Sequence, residues 1–358
     1  MNRSWNATLK AYADQRRQGV AAEAWRLLPA DCPRHLVDSL RVCLSANRDD
    51  RPATAGQFAR QLQLCLQPRV QSLLKPRTQS WQAWARQHPF AAICATGLIP
   101  NGICSALNII YNFREIVSHL KAIDALPVFY RQVAIINPVA FILGTILVIR
   151  FAWPVIAALT QSQPRTLAES YELQKRTLKL GDRVAWVSGV EWIVSGFIFP
   201  LWLHAEVGEA AGLTLNHYVH FLVSQIICGL LAATQSFFLL TTLSVHVLFA
   251  GLVRADQDSP EPLAWLRALL ARVGWMYHLA MSLPFLAISA FVLADVRESA
   301  PFLVMAALGF GSFAISYRLF GVIQSDIETL AVAVSPVQET SVSAISGATS
   351  SRSFRRGS

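Results

Sequence analysis

Beyond about residue 88, apolar runs alternate with short polar connections along the whole chain. A hydrocarbon core of about 30 Å takes about 20 residues of helix to cross. Six spanning helices are therefore expected, near 90 to 111, 133 to 153, 184 to 204, 219 to 250, 273 to 294 and 301 to 323. The fold class that follows is all-α, a short cytoplasmic helical segment followed by a six-helix transmembrane bundle. The expected organisation is a helical segment over 1–67, a basic juxtamembrane linker over 68–89, the transmembrane domain over 90–323 and a disordered cytoplasmic tail over 324–358. The tail from Ser335 onward is rich in Ser, Thr and Gly, with too few apolar residues to bury a core.

Within the apolar runs the polar residues are not scattered. In the first, Gly97, Asn101, Ser105, Asn108 and Asn112 fall on one helical face, and Pro100 predicts a kink beside them. In the fourth, His220, Ser224, Cys228, Gln235, Thr242 and His246 also share a side. The second carries Asn137-Pro138, and the third aligns Ser188, Glu191 and Ser195. Unpaired polar atoms in hydrocarbon cost several kcal/mol each, so these stripes should converge on a bundle interior. Glu191 should be protonated or paired with a histidine such as His220, His246 or His278. Two readings of it stay open: a proton- or ligand-dependent switch, or hydrogen-bonded glue between helices.

Composition supports the membrane reading. Hydrophobic residues make up 53% of the chain and charged residues 15%, with a mean hydropathy of +0.39. The net charge is +9, and the first 88 residues hold fourteen Lys and Arg against six Asp and Glu. The connections before span one, between spans two and three, and between spans four and five are basic, whereas 205 to 218 has neither Lys nor Arg. The positive-inside bias thus puts both termini in the cytoplasm. The first apolar run starts far from Met1 and reads as a span, not as a secretory leader. The segment Leu167 to Arg183 reads either as a short helix on the inner membrane surface or as a solvated connector. The six cysteines show no metal-ligand spacing, and Gly309-Phe310-Gly311 lies in an apolar run, where helix packing explains it. No metal and no cofactor is expected.

Residues 34 to 67 carry a more specific pattern. Cys43-Leu44 closes one helix, a short loop leads to Arg51-Pro52, and a helix follows with Phe58, Leu62 and Leu66 at helical spacing. This resembles the end of the catalytic domain of bacterial serine/threonine protein kinases of eukaryotic type, many of which carry a membrane region after the kinase domain. Asn47-Arg48 stands where that family has Asp-Pro. The resemblance implies a structural role for Arg51, an ion pair with the glutamate of an Ala-Pro-Glu segment. This chain has no Ala-Pro-Glu, Gly-rich loop, Val-Ala-Ile-Lys, His-Arg-Asp or Asp-Phe-Gly, so the machinery for phosphoryl transfer is missing. An ordinary helical hairpin and, last, a DNA-binding helix-turn-helix are the other readings of this stretch.

The leading functional expectation is the membrane anchor or sensor module of a truncated or split serine/threonine kinase, itself inactive. Its expected partners are the lipid bilayer, with a kinase catalytic domain or further copies of this chain, and no nucleic acid. The alternative is a small polytopic transporter with a polar path near Glu191, against which stands the lack of matched Gly/Pro interruptions in two inverted halves. A membrane-embedded enzyme ranks lowest, because no His-Glu-x-x-His or Gly-x-Ser-x-Gly occurs.

Overall fold

Helix caps, prolines and close glycine contacts set the architecture. The computed structural model describes residues 5–29, 31–52, 54–161, 165–208, 212–254, 259–293 and 299–335. All regular structure among them is helical. They form two compact units, one within 1–68 and the other within 69–254 and 261–333. The tail beyond 335 lies outside the described residues.

The first unit holds α1 (Trp5–Arg17), α2 (Ala22–Arg26), α3 (Arg34–Cys43) and α4 (Ala55–Cys65). A 3-10 turn, Arg48–Asp50, connects α3 to α4, which pack on each other. Side chains fix that connection: Asn47 accepts from the Asp49 N–H at 3.2 Å, and Thr54 caps α4 by accepting from the Gln57 N–H at 3.2 Å. One expectation fails here. α4 stops at Cys65, so Leu66 falls beyond the helix and is 82% exposed instead of completing the face of Phe58 and Leu62.

The second unit begins with two short helices, α5 (Pro68–Leu74) and α6 (Trp81–Gln87), where the sequence predicts only a linker. Then come α7 (Pro89–Glu115), α8 (Ala125–Thr160), α9 (Leu167–Thr177), α10 (Leu180–Val207), α11 (Leu215–Leu252), α12 (Glu261–Leu293) and α13 (Ser299–Val334). Five of these, α7, α8, α10, α11 and α13, are long and apolar enough to cross a bilayer. The expected span at 273 to 294 falls on α12 as far as Leu293, and 294 lies outside the described residues; α12 is not among the five, and its apolar part runs to the edge of the described side chains. A second correction concerns 167 to 183. The chain breaks at Leu178-Lys179, so Arg183 belongs to α10 and not to the connecting helix. α9 starts with a reciprocal capping box, in which Glu169 N–H donates to Thr166 Oγ1 at 3.2 Å and Thr166 N–H donates to Glu169 Oε2 at 2.8 Å. Those Thr166 bonds hold the Glu169 carboxyl below its usual range.

α11 is the axis of this unit. Of its most apolar window 72% is buried, against 22–28% for the other four, because α7, α10 and α12 all pack on it. α8 closes the set by packing on α7 and α10. Outward side chains are apolar: Val139, Ile142, Leu143, Ile146 and Leu147 of α8 are 45–62% exposed, as a lipid-facing surface requires. Near its end α11 widens into a π-helical turn, Ser244–Phe249. Prolines inside α7, α8, α10 and α12 are tolerated because neighbouring helices and side chains absorb the freed backbone groups.

Helix approach depends on missing side chains. A Cβ at Gly181 of α10 would lie 2.1 Å from Thr241 Oγ1 and 3.2 Å from the Phe237 carbonyl of α11, while one at Gly229 would lie 2.6 Å from Trp192 Cβ. Gly102 has nothing within 4 Å of the same position. Gly181→Ala is therefore expected to destabilise the folded protein by about 1–3 kcal/mol, and Gly102→Ala by no more than about 0.5 kcal/mol. Unfolding in detergent followed by helical circular dichroism checks the contrast; equal stabilities for the two variants would refute the close crossing.

Candidate functional site

Polar side chains of four helices meet along the inner face of α7. Asn101 uses its full hydrogen-bonding capacity. Its Nδ2 donates to the Gly97 carbonyl at 2.9 Å and to Ser236 Oγ at 3.2 Å; its Oδ1 accepts from Ser188 Oγ at 2.7 Å and Trp192 Nε1 at 2.8 Å. One amide thereby links α7, α10 and α11. Below it lies a closed ring. Asn108 Nδ2 donates to Ser224 Oγ at 3.1 Å, Ser224 Oγ donates to Asn112 Oδ1 at 3.0 Å, and Asn112 Nδ2 donates back to Asn108 Oδ1 at 2.9 Å. Each member both gives and accepts, a cooperative arrangement in a low-dielectric interior. α8 joins through Asn137 Nδ2, which donates to Ser105 Oγ at 3.0 Å. Gln235 Nε2 reaches Ser312 Oγ at 2.6 Å and Ser316 Oγ at 2.8 Å, tying α11 to α13.

The candidate residues do not form one cluster. Asn101 and Asn108 belong to this seam. His220 pairs with Tyr111 instead, its Nδ1 lying 2.8 Å from the hydroxyl. Glu191 meets none of the three histidines proposed for it: His246 is held by Asp326 and Gln82, and His278 bonds the Gly274 carbonyl of its own helix. The Glu191 carboxylate lies instead against α8, where a Cβ at Gly144 would come within 2.6 Å of Oε2 and 2.7 Å of Oε1. Its Oε1 is buried and has no hydrogen-bond partner. Two small clefts meet there, each of about 40 Å³, sharing Asn101, Phe141 and Glu191.

His246 marks a second polar site, at the π-helical turn of α11. Its Nδ1 pairs with the Asp326 carboxylate of α13, its Nε2 lies 3.1 Å from Gln82 Nε2, and its ring stacks on Trp81 at 5.2 Å and 16°. Arg86, one turn on, donates to the carbonyls of Leu73 at 2.6 Å, Leu74 at 2.8 Å and Val247 at 3.3 Å. Burial lowers its pKa. The short helices before the first span are thus fastened to the end of α11. π-turns concentrate at functional positions, and this one turns His246 toward α6 and α13.

In the first unit, Cys43 ends α3 and Leu44, half exposed, follows it. Arg51 folds back on its own loop, donating to the Ser45 carbonyl at 2.7 Å and the Ala46 carbonyl at 3.2 Å, and Pro52 comes next in extended chain. Among the described residues no group of His, Cys, Asp and Glu could hold a metal ion.

No family model, curated protein or solved structure matches this chain.

Asp326, Gln82 and Arg86 are site residues that the sequence reading does not single out. A signal for Asp326 exists: it sits at helical spacing from Ile323 and Leu330, both fully buried, so it shares their inward face. Asn101→Leu leaves the Ser188 and Trp192 donors without an acceptor and should lower stability by about 1–2 kcal/mol. Asn101→Gln, which keeps the amide, should cost less in unfolding monitored by tryptophan fluorescence. An unchanged midpoint for Asn101→Leu would remove Asn101 as a fastener.

Proposed function

We propose that this chain is a membrane-embedded anchoring and sensing module, and that its N-terminal unit is the remnant of a serine/threonine kinase domain without catalytic activity. The observation that carries this reading is the clasp at His246. Trp81, Gln82 and Arg86 lie on the segment through which the N-terminal unit is joined to the first span, and they grip α11 where Asp326 of α13 also holds it. A rearrangement among the helices has a direct mechanical route to that segment. Paired polar groups along the seam favour a bundle that holds shape over one that opens a water-filled path.

The inward orientation of the clasp follows from charge. Arg165, Arg176, Arg254 and Arg272 gather at the same end of the bundle, bonding the carbonyls of Ala158, Phe151, Arg165 and Leu178 respectively. Arg183 and Arg176 also lie over the Phe151 ring at 4.8 and 4.6 Å. The other end has Arg114, Lys121 and Arg131, the last paired with Glu206. The basic end faces the cytoplasm by the positive-inside bias, and the N-terminal unit with it. A transporter reading retains one observation in its favour, the unpaired Glu191 beside a cleft.

Two experiments test the proposal. Ala85, 1% exposed beneath the clasp, replaced by cysteine in a background without the native cysteines, should react slowly with a maleimide in inside-out vesicles. Adding Asp326→Ala should raise that rate about tenfold, the effect of about 1.4 kcal/mol of lost local protection; an unchanged rate would exclude the clasp as a coupling element. Separately, Mg-ATP should neither shift the melting temperature nor support label transfer to casein. A positive result in either assay would overturn the inactive-remnant reading.

A further inference from the structure

We propose that the cleft between α7, α8 and α10 binds an organic ammonium group, with the Glu191 carboxylate as its counter-ion. This goes beyond the anchoring role and does not depend on the kinase resemblance.

The case rests on two acceptors that no donor meets. Beside them, the donors of the asparagine seam are already committed. Asn101 Nδ2 serves Gly97 and Ser236, Asn137 Nδ2 serves Ser105, and the Ser188 hydroxyl and Trp192 N–H both serve Asn101. The acceptors are not. Glu191 Oε1 is buried and unpartnered, and so is the Oε1 end of Gln225, a side chain only 2% exposed that lines the same lobe. A carboxylate and an amide oxygen without donors, within a membrane span, call for a ligand that brings positive charge and N–H groups together. An ammonium group does both.

Shape and lining narrow the class. Gly144 leaves room for the carboxylate to lie against the α8 backbone; a methyl group there would stand 2.6 Å from Oε2. Phe129, Phe141, Phe199 and Trp192 line the lobe that holds Gln225, an aromatic wall suited to the alkyl part of an amine and to its charge. The space, about 40 Å³ in this lobe, admits only an ammonium group with a very short alkyl part. A single carboxylate amid amides and aromatic rings lacks the several hard oxygen donors that a divalent cation takes. The ammonium could be supplied by a soluble amine or by an aminophospholipid headgroup, for Leu98, 40% exposed, lines the cleft at its outer side.

The test is calorimetric titration of ethylammonium chloride into the full chain in phosphatidylglycerol nanodiscs, with sodium chloride holding ionic strength constant. The expected result is saturable binding in the wild type. Glu191→Gln should weaken it by about tenfold or more, equivalent to about 1.4 kcal/mol. Gly144→Ala keeps the charge but pushes the flexible carboxylate aside, and should weaken binding similarly; circular dichroism verifies that both variants fold. Nanodiscs of phosphatidylethanolamine separate the sources. A fall in apparent affinity for ethylammonium there identifies the headgroup as the occupant, and an unchanged affinity identifies a soluble amine. Absence of saturable binding in both lipids overturns the proposal, as does undiminished binding to Glu191→Gln or an equal response to sodium. Protection of cysteine at position 85 reads the clasp independently, so failure here leaves the anchoring role standing.

Discussion

Inside a hydrocarbon layer a polar group must find its partner within the protein, and this bundle is organised around that requirement. Asn101 meets it with four bonds, and the Asn108–Ser224–Asn112 ring meets it by closing on itself. Each such bond in a membrane interior contributes only about 0.6–2 kcal/mol. Their value lies in register, since the amides of α7 find their partners on α10 and α11 at one relative position of the helices. Glycine contacts then let the helices approach to that distance, with Gly181 against Thr241 and Gly229 against Trp192. α11, held by α7, α10, α12 and α13, becomes the element on which a change in any of them acts.

Among the buried polar atoms that depart from this economy or extend it, two places matter here. At His246 the polar contacts lie at the end of α11 and reach outside the bundle proper, to α6 and α13. At Glu191 the carboxylate sits inside the span and one oxygen has no partner. The two sites have different geometry: one ties α6 and α13 to the end of α11, and the other leaves a buried carboxylate oxygen without a partner.

The sequence made part of this legible. Asn101, Asn108 and Asn112 stand out because helical spacing puts them on one face, and the apolar runs between them announce helices that suit a bilayer. Ser188 and Ser224 stand in the stripes of their own helices, but which asparagine each meets was not legible, since periodicity describes one helix at a time, and Ser236 was not singled out at all. Glu191 is conspicuous as a carboxylate in an apolar run, but the histidines offered to it are elsewhere, and Gly144, which shapes its surroundings, gives no signal by itself. Asp326 escaped because the last span was expected to end at 323, whereas α13 runs on to Val334 and carries the carboxylate inward beside Ile323 and Leu330. Leu66 shows the converse, an apolar residue at the right spacing that falls just past the end of its helix.

The central claim is that the asparagine seam, acting across helices, holds the bundle in register. A double-mutant cycle on Asn108→Ala and Ser224→Ala, read from unfolding of the protein in lipid-detergent bicelles, tests it most directly. Because the two side chains share one ring, the account predicts non-additivity, with a coupling of about 0.6–2 kcal/mol. Effects that add to within about 0.3 kcal/mol would mean that the two residues act separately, and the seam would not be what sets the register of α7 on α11.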